Sequence, residues 1–449
     1  MSESLEPPSG DAATNSSLPL APGVAGVVVL PGLALWRRRP LVAALLFATG
    51  VIAPAFALLA VVVQRDDLVG LFTRPTVLRG FALVAIAFIT SRAVAVWLTS
   101  DHVLEADARR RLRTIGTSIV VLLAVPTTLV VVRMEQTRSV VQQVFQSSPT
   151  RGAVTAGTDV DPTGSQYRTV LMMGSDEGAD RVGLRTDSMI LAMVHQSTGH
   201  TVLVSVPRNL AKVHFPPGTA MAQRYPNGFT DLANAIYITV QNDAALRAAY
   251  SGSGMAPGIR ALMEGLSYSL GVSIDDYVLV NSCAFVKVVD AIGGVTITLD
   301  KSLPMPSKLR CSNYRLPATI GPGPVFMDGT KALGYVRSRT ADSDYYRMER
   351  QRILLQTIAR SVGIGTLLKD FGSLADAVKS DVRTSMTVDE ARSLLSQLQA
   401  DHGTFQSIGL VPPIVTPGRP DYPALRRYIQ DLRRRVAAGE TVTVTTDGA

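Results

Sequence analysis

Residues 41–63, LVAALLFATGVIAPAFALLAVVV, carry no charged side chain. As a helix, such a run reaches across a hydrocarbon core of about 30 Å, and no other feature limits the possible folds as strongly. Two further apolar stretches follow: residues 80–98, GFALVAIAFITSRAVAVWL, interrupted by Arg92, and residues 115–132, IGTSIVVLLAVPTTLVVV. Singly, each is compatible with a buried helix of a soluble protein. Three in succession, spaced by short polar loops, predict three transmembrane helices. Arg92 is expected to face a neighbouring helix or to snorkel toward an interface. Residues 18–35 are apolar but broken by Pro22, Gly23, Gly26, Pro31 and Gly32, and they are not read as a fourth span.

Charge predicts the orientation. Arg37, Arg38 and Arg39 precede the first span, and Arg109, Arg110, Arg111 and Arg113 precede the third. The loop between the first two spans holds Arg65, Arg74 and Arg79 against Asp66 and Asp67. The positive-inside rule then makes 1–40 a cytoplasmic segment and 41–134 a membrane region, with everything after about residue 135 outside. A solvated helix face remains the other reading of the Arg109–Arg113 run. No cleavable signal peptide is evident. Residues 135–166, rich in Gln, Ser, Thr, Gly and Asp, read as a linker, and 438–449 as a tail.

The 449 residues are 47% hydrophobic and 18% charged, which argues against disorder. Lys and Arg exceed Asp and Glu by 44 − 36 = 8, so the chain is basic. That excess allows nucleic acid, membrane or phosphorylated ligands. Two cysteines exclude a disulfide-dense scaffold or a multi-cysteine zinc fold. None of the five histidines has a partner at zinc-ligand spacing, and no nucleophile elbow, P-loop or dinucleotide-binding glycine pattern is present.

Residues 167–437 read as one exported domain of α/β/α type with a central mixed sheet. Short apolar runs at 167–173, 188–194, 201–206, 278–280, 295–299 and 405–411 predict strands. Helical spacing covers 230–241, 258–270, 284–292, 344–362 and 422–438. Thr387 with Glu390 forms a capping box ahead of another helix.

Within this domain, arginine and aspartate gather at element ends, where open α/β sheets collect ligand-binding side chains. Asp176 follows the first strand, Arg185 and Asp187 enter the second, and Arg208 follows the third. In YVRSRTADSDYYRMERQRILL, residues 335–355, Arg337 and Arg339 alternate and are expected on one side of an extended segment. Asp344, Arg347 and Gln351 share one face of the helix after it. Guanidinium groups hold phosphate oxygens in bidentate fashion, and a helix N-terminus adds partial positive charge. Carboxylates among those arginines suit an anion site only if a divalent cation bridges them to the phosphates. A surface salt-bridge network with helix caps is the plainer alternative.

These segments resemble the LytR-CpsA-Psr family of envelope phosphotransferases. The resemblance covers most of 167–360 and is carried by MGSDEGADRVGLRTDSMI, VSVPRNL, ANAIY and MDGTKALGYVRSRTADSDYYRMERQRILL. It implies transfer of a glycopolymer from a polyprenyl-pyrophosphate carrier to peptidoglycan through a phosphodiester link, at the cell membrane. Asp176 and Asp187 would then hold Mg²⁺ or Mn²⁺ or lie close to it. Arg185, Arg208, Arg337, Arg339 and Arg347, with Gln351, would bind the pyrophosphate, and Asp344 would orient an arginine. Asp187, more than Asp176, is the candidate base. Two positions depart from the pattern common in the family: Asn209 replaces an aspartate and Leu232 a basic residue. A non-catalytic lipid-binding protein, a pyrophosphate hydrolase and a transcriptional attenuator are competing readings. The attenuator is disfavoured because the arginines would lie outside the membrane, so no nucleic-acid partner is expected. Outside the cytoplasm, Cys283 and Cys311 either pair or remain two thiols.

Overall fold

The computed structural model describes residues 35–36, 39–63, 75–100, 106–144, 166–175, 186–252, 254–309, 311–312, 314–339, 343–361, 382–387, 390–391, 393–394 and 405–442. The chain forms two compact units, Met1–Gln136 and Thr137–Ala449.

In the first unit, helix α1 (Pro40–Phe47) runs through a π-helical turn, Ala48–Ile52, into α2 (Ala53–Val63). Helix α3 spans Pro75–Ser100 and α4 Ala106–Val144. Among the described residues, two stretches, Pro40–Leu59 and Arg79–Leu98, are long and apolar enough to cross a membrane. Leu58, Leu83 and Trp97 point outward, as the lipid-facing side of a span would. Arg92 is buried against its neighbours. Its guanidinium lies 3.7 Å from the Phe88 ring centre and donates to the Gly50 carbonyl at 2.9 Å. A π-turn leaves a carbonyl without its usual helical donor, and the arginine supplies one, while its own Nε has no partner among the described residues. The third expected span falls inside α4, which tolerates Pro126 and continues to Val144, into the segment expected as a linker. The stretch RMEQTRSVVQQV is made largely of good helix formers, and their propensity extends the helix.

The second unit is built on a six-stranded mixed sheet. Strands β1 (Tyr167–Ser175), β2 (Thr186–His195), β3 (Thr201–Ser205), β4 (Asp276–Asn281), β9 (Val382–Thr384) and β10 (Phe405–Gly409) take the order β10-β3-β2-β1-β4-β9. Strands β1 and β2 are antiparallel with Leu171 opposite Leu191, whereas β1–β4 and β3–β10 are parallel. Strands β1, β3, β4 and β10 therefore all end at one edge, where β2 begins.

Alternation assigns the two faces. Leu171, Met173, Leu191, Met193, Val202 and Val204 point into the main core, beneath α8 (Pro257–Leu270) and α12 (Tyr422–Ala437). Val170, Ile190, Ala192 and Leu203 point the other way, toward Leu355 of α11 (Asp344–Ser361). Short helices α5 (Ala220–Arg224), α6 (Ile236–Asn242) and α7 (Ala244–Ala249) complete the main-core side. The helix expected over 230–241 starts only at a 3-10 turn, Ala233–Ala235, because Asp231 turns back on the Leu232 amide.

A smaller core joins α9 (Ser282–Ala291) and α10 (Gly329–Arg337) to the pair β5 (Val295–Leu299) and β8 (Gly323–Met327), with β6 (Leu303–Pro304) and β7 (Thr319–Ile320) beside them. The capping box forms: Thr387 N–H donates to Glu390 at 2.8 Å, and the Glu390 amide donates to Thr387 Oγ1 at 3.3 Å. Beyond α12, Val442 N–H donates to Gln406 at 2.7 Å, so the domain extends past the expected boundary at 437. Cys283 and Cys311 are joined by a disulfide, with Cα atoms 5.1 Å apart.

Candidate active site

The polar cluster sits at the edge where β1, β3, β4 and β10 end, and the register explains why. Gly174 faces Ser188 closely, since a Cβ on Gly174 would lie 3.2 Å from that of Ser188. The pairing shifts at Gly174/Ser175, and Asp187 and Ser188 enter β2 at that irregularity. Arg208 follows β3, and α11 crosses above with Asp344 in its first turn.

Asp344 is the centre of the cluster. Its carboxylate accepts from Arg347 Nη2 at 3.1 Å and Arg208 Nε at 3.3 Å, and Arg339 Nε lies 3.8 Å away. Arg208 Nη1 also donates to Asp187 Oδ1 at 3.1 Å, and Asn234 Nδ2 reaches the same oxygen at 3.4 Å. Arg347 Nη2 touches the Asp187 carbonyl at 3.2 Å. Burial lowers the Arg347 guanidinium, with Asp344 opposing that shift and Arg208 and Arg339 reinforcing it. Arg347 Nε is buried without a partner among the described residues. Three arginines on one carboxylate leave the site with excess positive charge and a donor to spare, as an anion receptor requires.

The structure brings Asp187, Arg208, Arg339, Asp344 and Arg347 into direct contact and sets Gln351 beside them. Ser188 Oγ donates to Gln351 Oε1 at 2.9 Å, which directs the amide nitrogen of Gln351 away from Ser188. Arg337 departs from the expected geometry. It closes helix α10 instead of lying on an extended segment, and it donates to Ser282 Oγ at 3.3 Å. Asp328 caps that helix at the Lys331 amide, and Ala332, Leu333, Tyr335 and Val336 are buried along it, so helical spacing wins over the RSR alternation. Asp176 and Arg185 lie outside the described residues.

Ser188, Asn234 and Ser282 join the site without having been expected as contacts. Asn234 lies in ANAIY and Ser188 in RTDSM, so motif membership was their only signal. Asn209 Oδ1 is buried without a partner, and Leu232 is exposed at the cap of the 3-10 turn.

Among the described residues no group of three His, Cys, Asp or Glu side chains could hold a metal ion by itself. The donor set does suit a cation that takes most of its ligands from phosphate and water. Asp187 spends Oδ1 on Arg208 and Asn234, and no described hydrogen bond uses Oδ2. One carboxylate plus phosphate oxygens is a common magnesium arrangement.

Residues 131–408 match the LytR_cpsA_psr family. Biofilm regulatory protein A of Streptococcus mutans is 26% identical over 229 residues, 50% of this chain and 51% of that protein. The polyisoprenyl-teichoic acid–peptidoglycan teichoic acid transferase TagU of Bacillus subtilis is 29% identical over 224 residues, 49% of this chain and 60% of that enzyme. The chain thus spans between about half and three fifths of the length of these relatives. The crystal structure of TagV from B. subtilis is 20% identical, with a TM-score of 0.43 over 61% of this chain and 98% of that one. The matched region begins before the sheet and runs into its last strand, and it contains every residue of the Asp344-centred cluster. The protein belongs to the LytR_cpsA_psr family.

Proposed function

We propose that this protein transfers a glycopolymer from a polyprenyl-pyrophosphate carrier onto peptidoglycan, forming a phosphodiester link in cell wall assembly. The observation that carries the reading is the convergence of Arg208, Arg339 and Arg347 on Asp344 beside Asp187. A pyrophosphate entering there meets preoriented guanidinium donors, the main requirement for phosphoryl transfer. The names of relatives such as B. subtilis TagU, a teichoic acid–peptidoglycan transferase, point to the same reaction class.

Arg208, Arg339 and Arg347 bind oxygens of the two phosphates, Arg337 extends the cationic rim, and Arg185 and Asp176 belong to the same set by motif. The Gln351 amide nitrogen donates to a phosphate oxygen. Asp344 holds the guanidinium groups in register before the ligand arrives. Asp187 accepts the proton of the attacking sugar hydroxyl. The hydroxyl oxygen bonds to the sugar-side phosphorus, the bond from that phosphorus to the bridging oxygen breaks, and prenyl phosphate leaves with the electron pair. Asp187 and Asp176 would hold Mg²⁺ or Mn²⁺, which when bound neutralises phosphate charge. The apolar face beneath α11, lined by Val170, Ile190 and Leu203, receives the prenyl chain. Three membrane crossings, with α4 supplying the third, place this domain outside the cell.

The full chain, purified in detergent, is incubated with a prenyl-pyrophosphate oligosaccharide, a peptidoglycan fragment and Mg²⁺. A phosphodiester-linked product detected by mass spectrometry is expected. Binding of the lipid with neither transfer nor hydrolysis, in Mg²⁺ or Mn²⁺, would leave a carrier-binding protein. Phosphate release without transfer would make it a hydrolase. A reporter fused at residue 449 checks the topology, and activity on the cytoplasmic side would remove the scheme.

A further inference from the structure

Where α3 ends and α4 begins, two contacts hold the helices at one level. Arg113 Nε donates to Ser100 Oγ at 2.9 Å, and that hydroxyl donates in turn to the Trp97 carbonyl at 2.8 Å. Ser100 is fully buried, so the bond fixes the Arg113 guanidinium against the end of α3. Three residues on, Gly116 lets the helices touch, since a Cβ there would lie 2.8 Å from a Val96 methyl. Trp97 is 61% exposed. An exposed tryptophan near the end of an apolar helix marks the level where membrane meets water. The chain of bonds from Trp97 through Ser100 therefore puts Arg113 at that level.

Beside Arg113 lies an open groove of about 540 Å³, the size of a small-ligand site. Among the described residues it is lined by Arg113, Thr114, Thr117, Ser118 and Val121. On an α-helix these positions, followed by Val125, share one face. That face changes character along its length. The guanidinium comes first, then the hydroxyls, then valine methyls, and Val121 and Val125 are both exposed. From Arg113 to Ser118 is about 7.5 Å along the axis. The headgroup zone on each side of a bilayer is about 5–8 Å deep. Thr114 Oγ1 is spent on the Arg110 carbonyl at 3.0 Å, whereas no described hydrogen bond uses the hydroxyls of Thr117 and Ser118, which are exposed. Hydroxyls turned outward on an apolar span need acceptors, and lipid ester carbonyls at that depth supply them. Arg109, Arg110 and Arg111 add positive charge one turn above, against Asp107 among the described residues.

We infer that this groove holds one anionic phospholipid of the cytoplasmic leaflet, with its phosphate on Arg113, its ester carbonyls on Thr117 and Ser118, and an acyl chain along Val121 and Val125. This rests on the membrane crossing by α4 proposed above. The positive-inside rule accounts for arginines near this end of α4, since it asks only for charge on one side. It does not require an arginine hydrogen-bonded to the neighbouring helix, nor hydroxyls in line with it. A diacyl lipid fits that order of donors better than a prenyl phosphate, which has no ester carbonyls. A lipid seated there fixes the level of α4 in the bilayer.

Trp36→Phe leaves Trp97 as the only tryptophan and makes it the reporter. The full chain is placed in phosphatidylcholine nanodiscs that carry brominated phosphatidylglycerol or brominated phosphatidylcholine at equal mole fraction. Phosphatidylglycerol should quench Trp97 about twofold more, or better. Arg113→Gln should remove that excess, Arg113→Lys should keep most of it, and Thr117→Val with Ser118→Ala should reduce it. Arg110→Gln, which removes a charge outside the groove, should leave most of it. Equal losses in Arg113→Gln and Arg110→Gln would show diffuse attraction to charge and overturn the site. Geranylgeranyl monophosphate relieving the quenching as well as unlabelled phosphatidylglycerol does would overturn the choice of a diacyl lipid. A dimer by light scattering that Thr117→Val with Ser118→Ala converts to a monomer would put a second copy on this face and overturn the lipid. A reporter at residue 449 found outside the cell, with no excess quenching, overturns the groove and leaves the topology standing. A reporter found inside the cell removes both.

Discussion

Asp344 Oδ1 lies 3.0 Å from Arg347 Nη2, one helical turn apart on α11, and the Arg347 side chain is 6% exposed. An ion pair this buried positions its members more than it stabilises the fold. Asp344 also holds Arg208, so it couples α11 to the end of β3. Asp344→Asn removes the charge at similar shape and frees the arginines to drift. The expected result is a fall in kcat/KM for transfer on the order of 10²-fold, with far-UV circular dichroism unchanged. Full activity in Asp344→Asn would mean that the arginines are held by the rest of the fold.

Cys283 opens α9 beside Ser282, which accepts the Arg337 guanidinium, and its partner Cys311 lies 28 residues further on. The crosslink therefore ties the segment between α9 and β7 to the helix that carries the Arg337 contact. A loop of this length is worth about 3.5 kcal/mol in the chain-entropy account. Cys283→Ala with Cys311→Ala should lower the Tm by roughly 5–10 °C. Mass measurement without reductant should show two hydrogens fewer than the reduced chain. Two free thiols in protein secreted to an oxidising compartment would end the assignment.

Much of the sheet was legible because its alternation is strict. Leu171, Met173, Leu191 and Met193 recur at period two, and register follows from burying that face. The site was legible where local signals carry it: Arg347 and Gln351 stand one turn apart on a helix whose apolar continuation is visible. Arg337 was misplaced because RSR imitates an extended alternation, while the helix that ends there is set by Asp328, nine positions earlier. Arg352 is buried with no hydrogen-bond partner for Nε or Nη1 among the described residues, and that could not be read at all. It depends on Gly409, a residue from a distant strand that lacks the side chain which would otherwise fill the space. The sequence signals charge at Arg347, Arg350 and Arg352 alike, and only packing separates a paired arginine from an unpaired one.

Gly329 follows the Asp328 cap and marks where α10 crosses α9. A Cβ there would be driven into the carbonyl of Val286, and the Gly329 amide donates to Asp290 at 2.7 Å. The obstacle is backbone, which cannot rotate aside. Gly329→Ala should therefore separate the two helices, displace Arg337 from Ser282 and lower stability by about 1–3 kcal/mol, an overpacking cost. Thermal unfolding checks the first effect and pyrophosphate-lipid affinity the second. A variant with wild-type Tm would show that the helices do not meet this closely.

Glu264 lies in the middle of α8, buried in the main core with the Tyr250 hydroxyl donating to it. Burial raises its carboxyl above the usual range, against the opposing pull of Tyr250, Thr219 and Arg260. A raised folded pKa means that the native state holds the proton more tightly than the unfolded chain does. The associated stability is fully present below the unfolded value of about 4.3 and is lost as pH rises through the folded value. Glu264→Gln keeps an acceptor for Tyr250 and removes the titration. The variant should match wild type near pH 4 and unfold at a higher Tm near pH 8. Equal differences in Tm at the two pH values would show that Glu264 does not titrate on folding.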